Sequence, residues 1–338
     1  AVSLIGFVAF AVSMIATLRT QRAPGMAWRR TPLFSWAGGV VSWTLLIVGP
    51  IMIAALTMLM IDRHFDGVFF DPNEGGSPVL YEHLSSIFLA GAYISLVVAA
   101  FGAISEILPT FSRQPQFGHG TIAGSLAALA PLAVLAWMQN MVAGAIPLGF
   151  QYFAMIMALC AAVPAGLILF NRLATLNGGS IRMRAPMLFA LGAIFLTFAG
   201  LVGEMVQSIP PVGWQLNNTT TAWGDTHAAL IGAGVFGGFA ALHYWFPKLC
   251  SRGGVEQFLR HELIVQLAGL EGQPVDVFKF YEDSGLDALN AISTVGSVLF
   301  AIGFLVEMIN AAISYNNGVE VGPDPWGGST LEWFAPSP

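Results

Sequence analysis

Charge is what this chain has least of: only 9% of its 338 residues are Asp, Glu, Lys or Arg, against about 25% in an ordinary soluble domain. So few ionised groups cannot cover a wholly aqueous surface, which excludes the soluble globular classes. Cysteine is nearly absent too. Cys160 lies in an apolar stretch and Cys250 beside a basic loop, making neither a disulfide framework nor a zinc site. No Lys/Arg cluster is interleaved with aromatics, so there is no nucleic-acid footprint, and the net charge of −6 is spread over polar segments. A phosphate-binding Gly-rich loop, an HExxH helix and a nucleophile–base triad are missing as well. The first residues carry neither a basic n-region nor a small-residue cleavage site, so they do not read as a signal peptide.

What is there is long apolar sequence. Hydrophobic residues make up 56% of the chain and mean hydropathy is +0.71. Stretches of about 20 residues, enough to cross a bilayer core of about 30 Å, recur over residues 36–61, 84–110, 121–145, 150–170, 186–205, 228–246 and 288–313. Residues 1–18 are apolar with no loop before them, so the chain is expected to begin within a helix, as a processed, split or truncated protein would. The expected fold is all-α: one membrane-embedded domain over residues 1–338 with eight or nine apolar helices and a short aqueous tail over 315–338. The compartment expected is a bacterial inner (plasma) membrane.

Charge placement gives orientation. Eleven of the thirteen basic residues fall in alternate loops, around Arg19, Arg22, Arg29 and Arg30, then Arg113, then Arg172, Arg182 and Arg184, then Lys248, Arg252 and Arg260. Those loops should be cytoplasmic. The loops between them are acidic or uncharged, with Arg63 and Lys279 as exceptions. One segment disturbs the alternation: another crossing is needed after Lys248, yet only Leu263–Leu270 is continuously apolar and Arg260, His261 and Glu262 precede it. A charged group at mid-bilayer costs about 2.5–3.5 kcal/mol, so this segment over 256–270 either is cut short or lacks residues.

Several short motifs carry a more specific signal in their order. They are RAPGM (Arg22–Met26), TPLFSW (Thr31–Trp36), DRHFDGVFFDP (Asp62–Pro72), LYEHL (Leu80–Leu84), RLATLNG (Arg172–Gly178), ALHYWFPKL (Ala241–Leu249), ISTVGS (Ile292–Ser297) and DPWGGSTLEW (Asp324–Trp333). Singly each is bland: DPNEGGSP is a turn-rich loop, and WFPKL suits a membrane interface. Together they resemble subunit I of the heme-copper (cytochrome c) oxidases, from partway through that family's fourth helix to its twelfth.

The resemblance also marks departures. Where the family's copper-binding helix carries His and Tyr, this chain has Ala90 and Ile94; where it has a His pair, this chain has Gln139 and Asn140. Copper needs imidazole or soft sulfur donors, so no copper is expected. The family's heme-bearing HFH triplet reads Asp225, Thr226, His227, which puts a carboxylate in the high-spin heme position and leaves a histidine in the low-spin one. The family's proton-channel lysine aligns with Ile168, and its magnesium-associated His-Asp pair with Asn217 and Asn218.

Two kinds of residue could still carry chemistry. His227 is a candidate axial ligand for one low-spin heme, whose second ligand would have to come from another chain; the alternative is a histidine hydrogen-bonded to Asp225 or a carbonyl near its helix start. Glu106, Glu204, Asp225 and Glu307 are candidates for a proton path, with structural pairing as the alternative, Glu106 and Glu204 reaching an interface near their helix ends. His64, His83, His119, His243 and His261 show no metal-ligand spacing and read as loop or interface residues. Three functions follow from the resemblance. The first is a non-catalytic scaffold subunit of a respiratory complex, with other membrane subunits, lipid and a chain supplying the first helices as partners. The second is part of a split or divergent terminal oxidase. The third is a proton or ion conduit.

Overall fold

The computed structural model describes residues 2–141, 146–217, 219–250, 287–317, 322, 324–328, 330 and 333–334. The segment 256–270 therefore lies outside the described residues. Among the described residues ten α-helices follow one another: α1 (Val2–Thr20), α2 (Leu33–His64), α3 (Pro78–Ser112), α4 (His119–Leu135), α5 (Leu148–Leu176), α6 (Ala185–Gln207), α7 (Pro210–Leu216), α8 (Thr220–Leu230), α9 (Gly237–Cys250) and α10 (Asp287–Asn317). No strand occurs among the described residues. Helices are what a bilayer demands, because each backbone N–H and C=O must find its partner inside the segment. Among the described residues seven spans are long and apolar enough to cross, α8 and α9 being joined into one by a π-helical turn over Ile231–Phe236. This is an integral membrane protein with an all-α fold.

Most helices outrun the apolar stretches by a few residues, and α4 falls short. Helix α3 runs through Pro109 to Ser112, two residues past the apolar run; a membrane helix tolerates Pro because neighbouring groups re-satisfy the freed carbonyl. Helix α4 stops at Leu135, well short of Ala145, and a 3-10 turn over Trp137–Met141 follows.

The contacts group into two compact units, one of residues 1–102 and 120–167, the other of residues 103–119 and 168–338. In the first, small residues set the helix spacing, as expected where no hydrophobic effect drives helices together. A Cβ on Gly49 of α2 would come within 2.8 Å of Val8 of α1, and one on Gly91 of α3 within 2.8 Å of Val48 of α2. The loop after α2 explains its own motif. Asp62 accepts from the backbone N–H groups of Phe69 (3.0 Å) and Phe70 (2.8 Å). Asp71 caps the next turn through Asn73 N–H at 2.9 Å, and any side chain on Gly76 would strike the Val68 carbonyl. Replacing Asp62 by Ala should cost about 1–3 kcal/mol, read as a lower unfolding midpoint with faster amide exchange confined to residues 67–77.

The second unit has its core where Ile104, Ile107, Leu108 and Phe111 of α3 meet Met187, Phe189, Ala190 and Ala193 of α6, Phe236, and Ala240 and Tyr244 of α9. The tail joins this core. Trp333 is 2% exposed, and the Trp326 indole N–H donates to the Tyr244 carbonyl at 2.9 Å. The described tail thus returns to the ends of α3 and α9 that carry Phe111 and Lys248, where Arg182 N–H also meets the Phe111 carbonyl at 2.8 Å. That end carries the basic loops that hold Arg113 and Arg182.

Candidate functional site

The sharpest candidates sit on α8. Thr219 caps this helix by accepting from Thr221 N–H at 3.3 Å, and its second turn carries Asp225 and His227. Residues two apart on an α-helix point about 200° from one another, so the two side chains leave by different faces.

Asp225 faces α6. It is 3% exposed and accepts a hydrogen bond from the Gln207 side-chain amide. Gly203 makes that approach possible, because any Cβ there would overlap the carboxylate. One turn away, a Cβ on Gly200 would lie 2.6 Å from the Asp225 carbonyl, and one on Gly232 would lie 2.6 Å from Leu196. Glu204, half-buried on the same turn of α6, is within electrostatic reach of Asp225. Two sequence-predicted carboxylates are thus brought together with Gln207, a residue the sequence reading did not single out. Its amide, four residues after Gly203, was the available signal.

His227 is half-buried four residues before the π-helical turn and has polar or ring contacts of its own. A half-buried imidazole on a membrane helix fits the requirement for one axial heme ligand. Asp225 does not fit an iron-ligand role: its carboxylate is engaged by Gln207 and pressed against the Gly203 backbone.

The positions that the resemblance assigns to copper lie in the first unit. Ala90 and Ile94 are on α3, Ile94 buried and Ala90 half-buried; Gln139 is in the 3-10 turn after α4. None offers an imidazole. The Gln139 side-chain oxygen is buried without a hydrogen-bond partner among the described residues, as is Nδ1 of His83. The His83 ring meets Trp137 edge-on at 5.2 Å. His83, expected at a loop or interface, is a half-buried residue near the start of α3. An orphaned buried acceptor costs about 1–3 kcal/mol unless water fills the place. Among the described residues no group of three or more His, Cys, Asp or Glu has metal-binding geometry.

The remaining candidates are dispersed. Glu106 is half-buried on α3, and its carbonyl accepts from Thr110 Oγ1 at 3.1 Å. His243, expected at a loop or interface, stacks on Phe189 with ring centroids 5.3 Å apart. The backbone of Glu307 belongs to α10, but its side chain, like those of Asn140 and Asn218, lies outside the described residues. Ile168 is fully buried and Cys160 is a free, exposed thiol.

Comparison with known proteins gives this arrangement a context. The family model described as cytochrome c and quinol oxidase polypeptide I matches residues 1–314. The chain is 33% identical over 344 residues to cytochrome c oxidase subunit 1 of Thermostichus vulcanus, covering 97% of this chain and 61% of that protein. It is 32% identical over 351 residues to the Bacillus subtilis subunit 1, covering 100% of this chain and 56% of that one. The chain therefore spans about six tenths of the length of the curated relatives it matches. A heme-copper terminal oxidase dimer solved by cryo-electron microscopy has the same fold, with a TM-score of 0.62 at 15% identity over 94% of this chain and 70% of that one.

Proposed function

We propose that this chain, which belongs to the cytochrome c and quinol oxidase polypeptide I family, is a non-catalytic scaffold subunit of a respiratory complex in a bacterial inner membrane. Its helices hold partner subunits, among them a chain that supplies further helices, and His227 holds one low-spin heme jointly with that partner. The observation that carries this reading is chemical. The resemblance aligns the reacting centre's metal positions with Ala90, Gln139, Asn140 and Asp225; the first three are poor copper donors, and Asp225 is tied to α6 through Gln207. A low-spin heme would supply one-electron transfer when bound. The protein's part would be to orient the His227 imidazole at the α8 end of the π-helical turn and to keep α6 packed on α8 through Gly200 and Gly203. Helix α1 supports a neighbouring subunit: Ala11 is its buried residue, while Ile5, Phe7 and Phe10 are more than half exposed.

The test is the heme and metal content of the intact purified complex. The expected result is no copper assignable to this chain and no heme of this chain that binds CO. The low-spin signal should vanish in His227→Ala and persist in Asp225→Asn. Stoichiometric copper, or a CO-binding heme whose spectrum changes with Asp225, would overturn the reading. A second reading, a proton conduit, draws support from the pairing of Glu204 with Asp225; it requires that Glu204→Gln abolish a pH-driven flux in proteoliposomes.

A further inference from the structure

No Asp or Glu occurs anywhere between Glu106 and Glu204, while the same stretch holds Arg113, Arg172, Arg182 and Arg184. Three of these are exposed at one end of the second unit. They sit on two loops that are fastened together: Arg182 N–H donates to the Phe111 carbonyl at 2.8 Å, and the Gln114 amide donates to the Gly178 carbonyl at 3.1 Å. Gly179 closes against Ser112, where a Cβ would lie 2.6 Å from the Ser112 carbonyl. The α3–α4 loop is also tied to α5, since Phe117 N–H and the Gln116 amide both reach Thr175 Oγ1, at 3.1 and 2.9 Å. Arg113, Arg182 and Arg184 are thus displayed on a braced surface. Arg184 directly precedes the positive end of α6, so the local field has one sign.

Beside this charge stands apolar surface. Phe117 is 52% exposed, Phe170 61% and Met183 57%, and the Phe117 and Phe170 rings meet at 6.5 Å. Guanidinium groups next to outward-facing aromatic and thioether side chains, at the ends of membrane-spanning helices, match an amphiphile with an anionic head. The two loops themselves carry no carboxylate, since residues 107–203 contain neither Asp nor Glu.

We infer that the paired loops over residues 111–119 and 177–184 form a binding site for an anionic phospholipid of the cytoplasmic leaflet, with the phosphate at Arg113, Arg182 and Arg184 and the acyl chains along Phe117, Phe170 and Met183. Guanidinium forks suit phosphate oxygens, and basic residues at the cytoplasmic ends of spans recognise such headgroups. The inference does not depend on whether the family fold is catalytic here.

The experiment uses the full chain in vesicles of phosphatidylcholine containing a minor fraction of phosphatidylglycerol, one or the other lipid carrying a photoreactive group near its head. Crosslinks from phosphatidylglycerol, mapped by mass spectrometry, should concentrate in residues 111–119 and 177–184. Phosphatidylcholine crosslinks there should be on the order of tenfold fewer. Substituting Gln for Arg113, Arg182 and Arg184 together should abolish that preference, Lys at all three should keep most of it, and Gln at Arg22, Arg29 and Arg30 should leave it intact. Millimolar inorganic phosphate should not compete, because it lacks the acyl chains. Equal labelling by the two lipids, an unchanged preference in the triple Gln variant, or protein–protein crosslinks from these arginines to carboxylates of residues 251–286 would each overturn the assignment. If the Gln variant does not fold, loss of the preference in the Lys variant overturns it as well.

Discussion

Trp333→Ala should lower the unfolding midpoint of the purified protein more than any other single change in the tail, by an amount equivalent to about 3–5 kcal/mol. The side chain is 2% exposed, its ring lies 5.1 Å from that of Tyr244, and its N–H donates to Tyr244 Oη at 3.0 Å. That same hydroxyl is 3.1 Å from Thr110 Oγ1 of α3, so one fully buried tyrosine joins α3, α9 and the tail. The tail is shaped to fit: Asp324 accepts from the N–H groups of Gly327 and Gly328 at 2.8 and 2.9 Å, and a Cβ on Gly328 would overlap the Trp333 ring. Trp333→Phe keeps most of the apolar volume and loses the indole donor, so it should cost only about 1–2 kcal/mol. In Trp333→Ala, limited proteolysis should cut the tail while leaving the helices intact. A midpoint within experimental error of the parent would show that the clamp contributes nothing.

That clamp also shows what one-dimensional reading can and cannot reach. The helices were legible because a bilayer leaves the backbone little choice, so an apolar run of sufficient length is close to a structural assignment. The tail was not legible. Its Asp, Pro, Gly and Trp composition is that of an aqueous loop, and the burial of Trp326 and Trp333 is decided by Tyr244, 82 and 89 residues earlier. Pro109 shows a related effect: it would break an isolated helix, but α3 carries it through to Ser112 inside a packed core. The motifs of the loop after α2 were recognisable as signatures, but their cause lay in the two N–H groups that Asp62 caps. Of the candidate site, the residue identities at Ala90, Gln139, Asp225 and His227 were legible. Their surroundings were not, since nothing along the chain says that Gly203 opens α6 to Asp225.

Gly203 therefore gives the sharpest probe of the α6–α8 contact. Gly203→Val places branched carbon where the Asp225 carboxylate now lies, and overpacking alone costs about 1–3 kcal/mol. The displaced side chain also loses its bond from Gln207, which adds about 1–3 kcal/mol for a buried acceptor left unpaired. An expected loss of about 2–6 kcal/mol would leave little folded protein out of a marginal total. The smaller Gly203→Ala permits a double-mutant cycle with Asp225→Ala, which removes the atoms that the new methyl would strike. The pair should be less damaging than the sum of the two by about 1–2 kcal/mol. The cycle bears on function as much as on packing. Strong coupling with an unchanged heme spectrum would identify Asp225 as a helix-packing carboxylate. Additive effects, together with a spectrum that shifts when Asp225 is removed, would instead place the carboxylate next to iron and return the chain to the catalytic branch of its family.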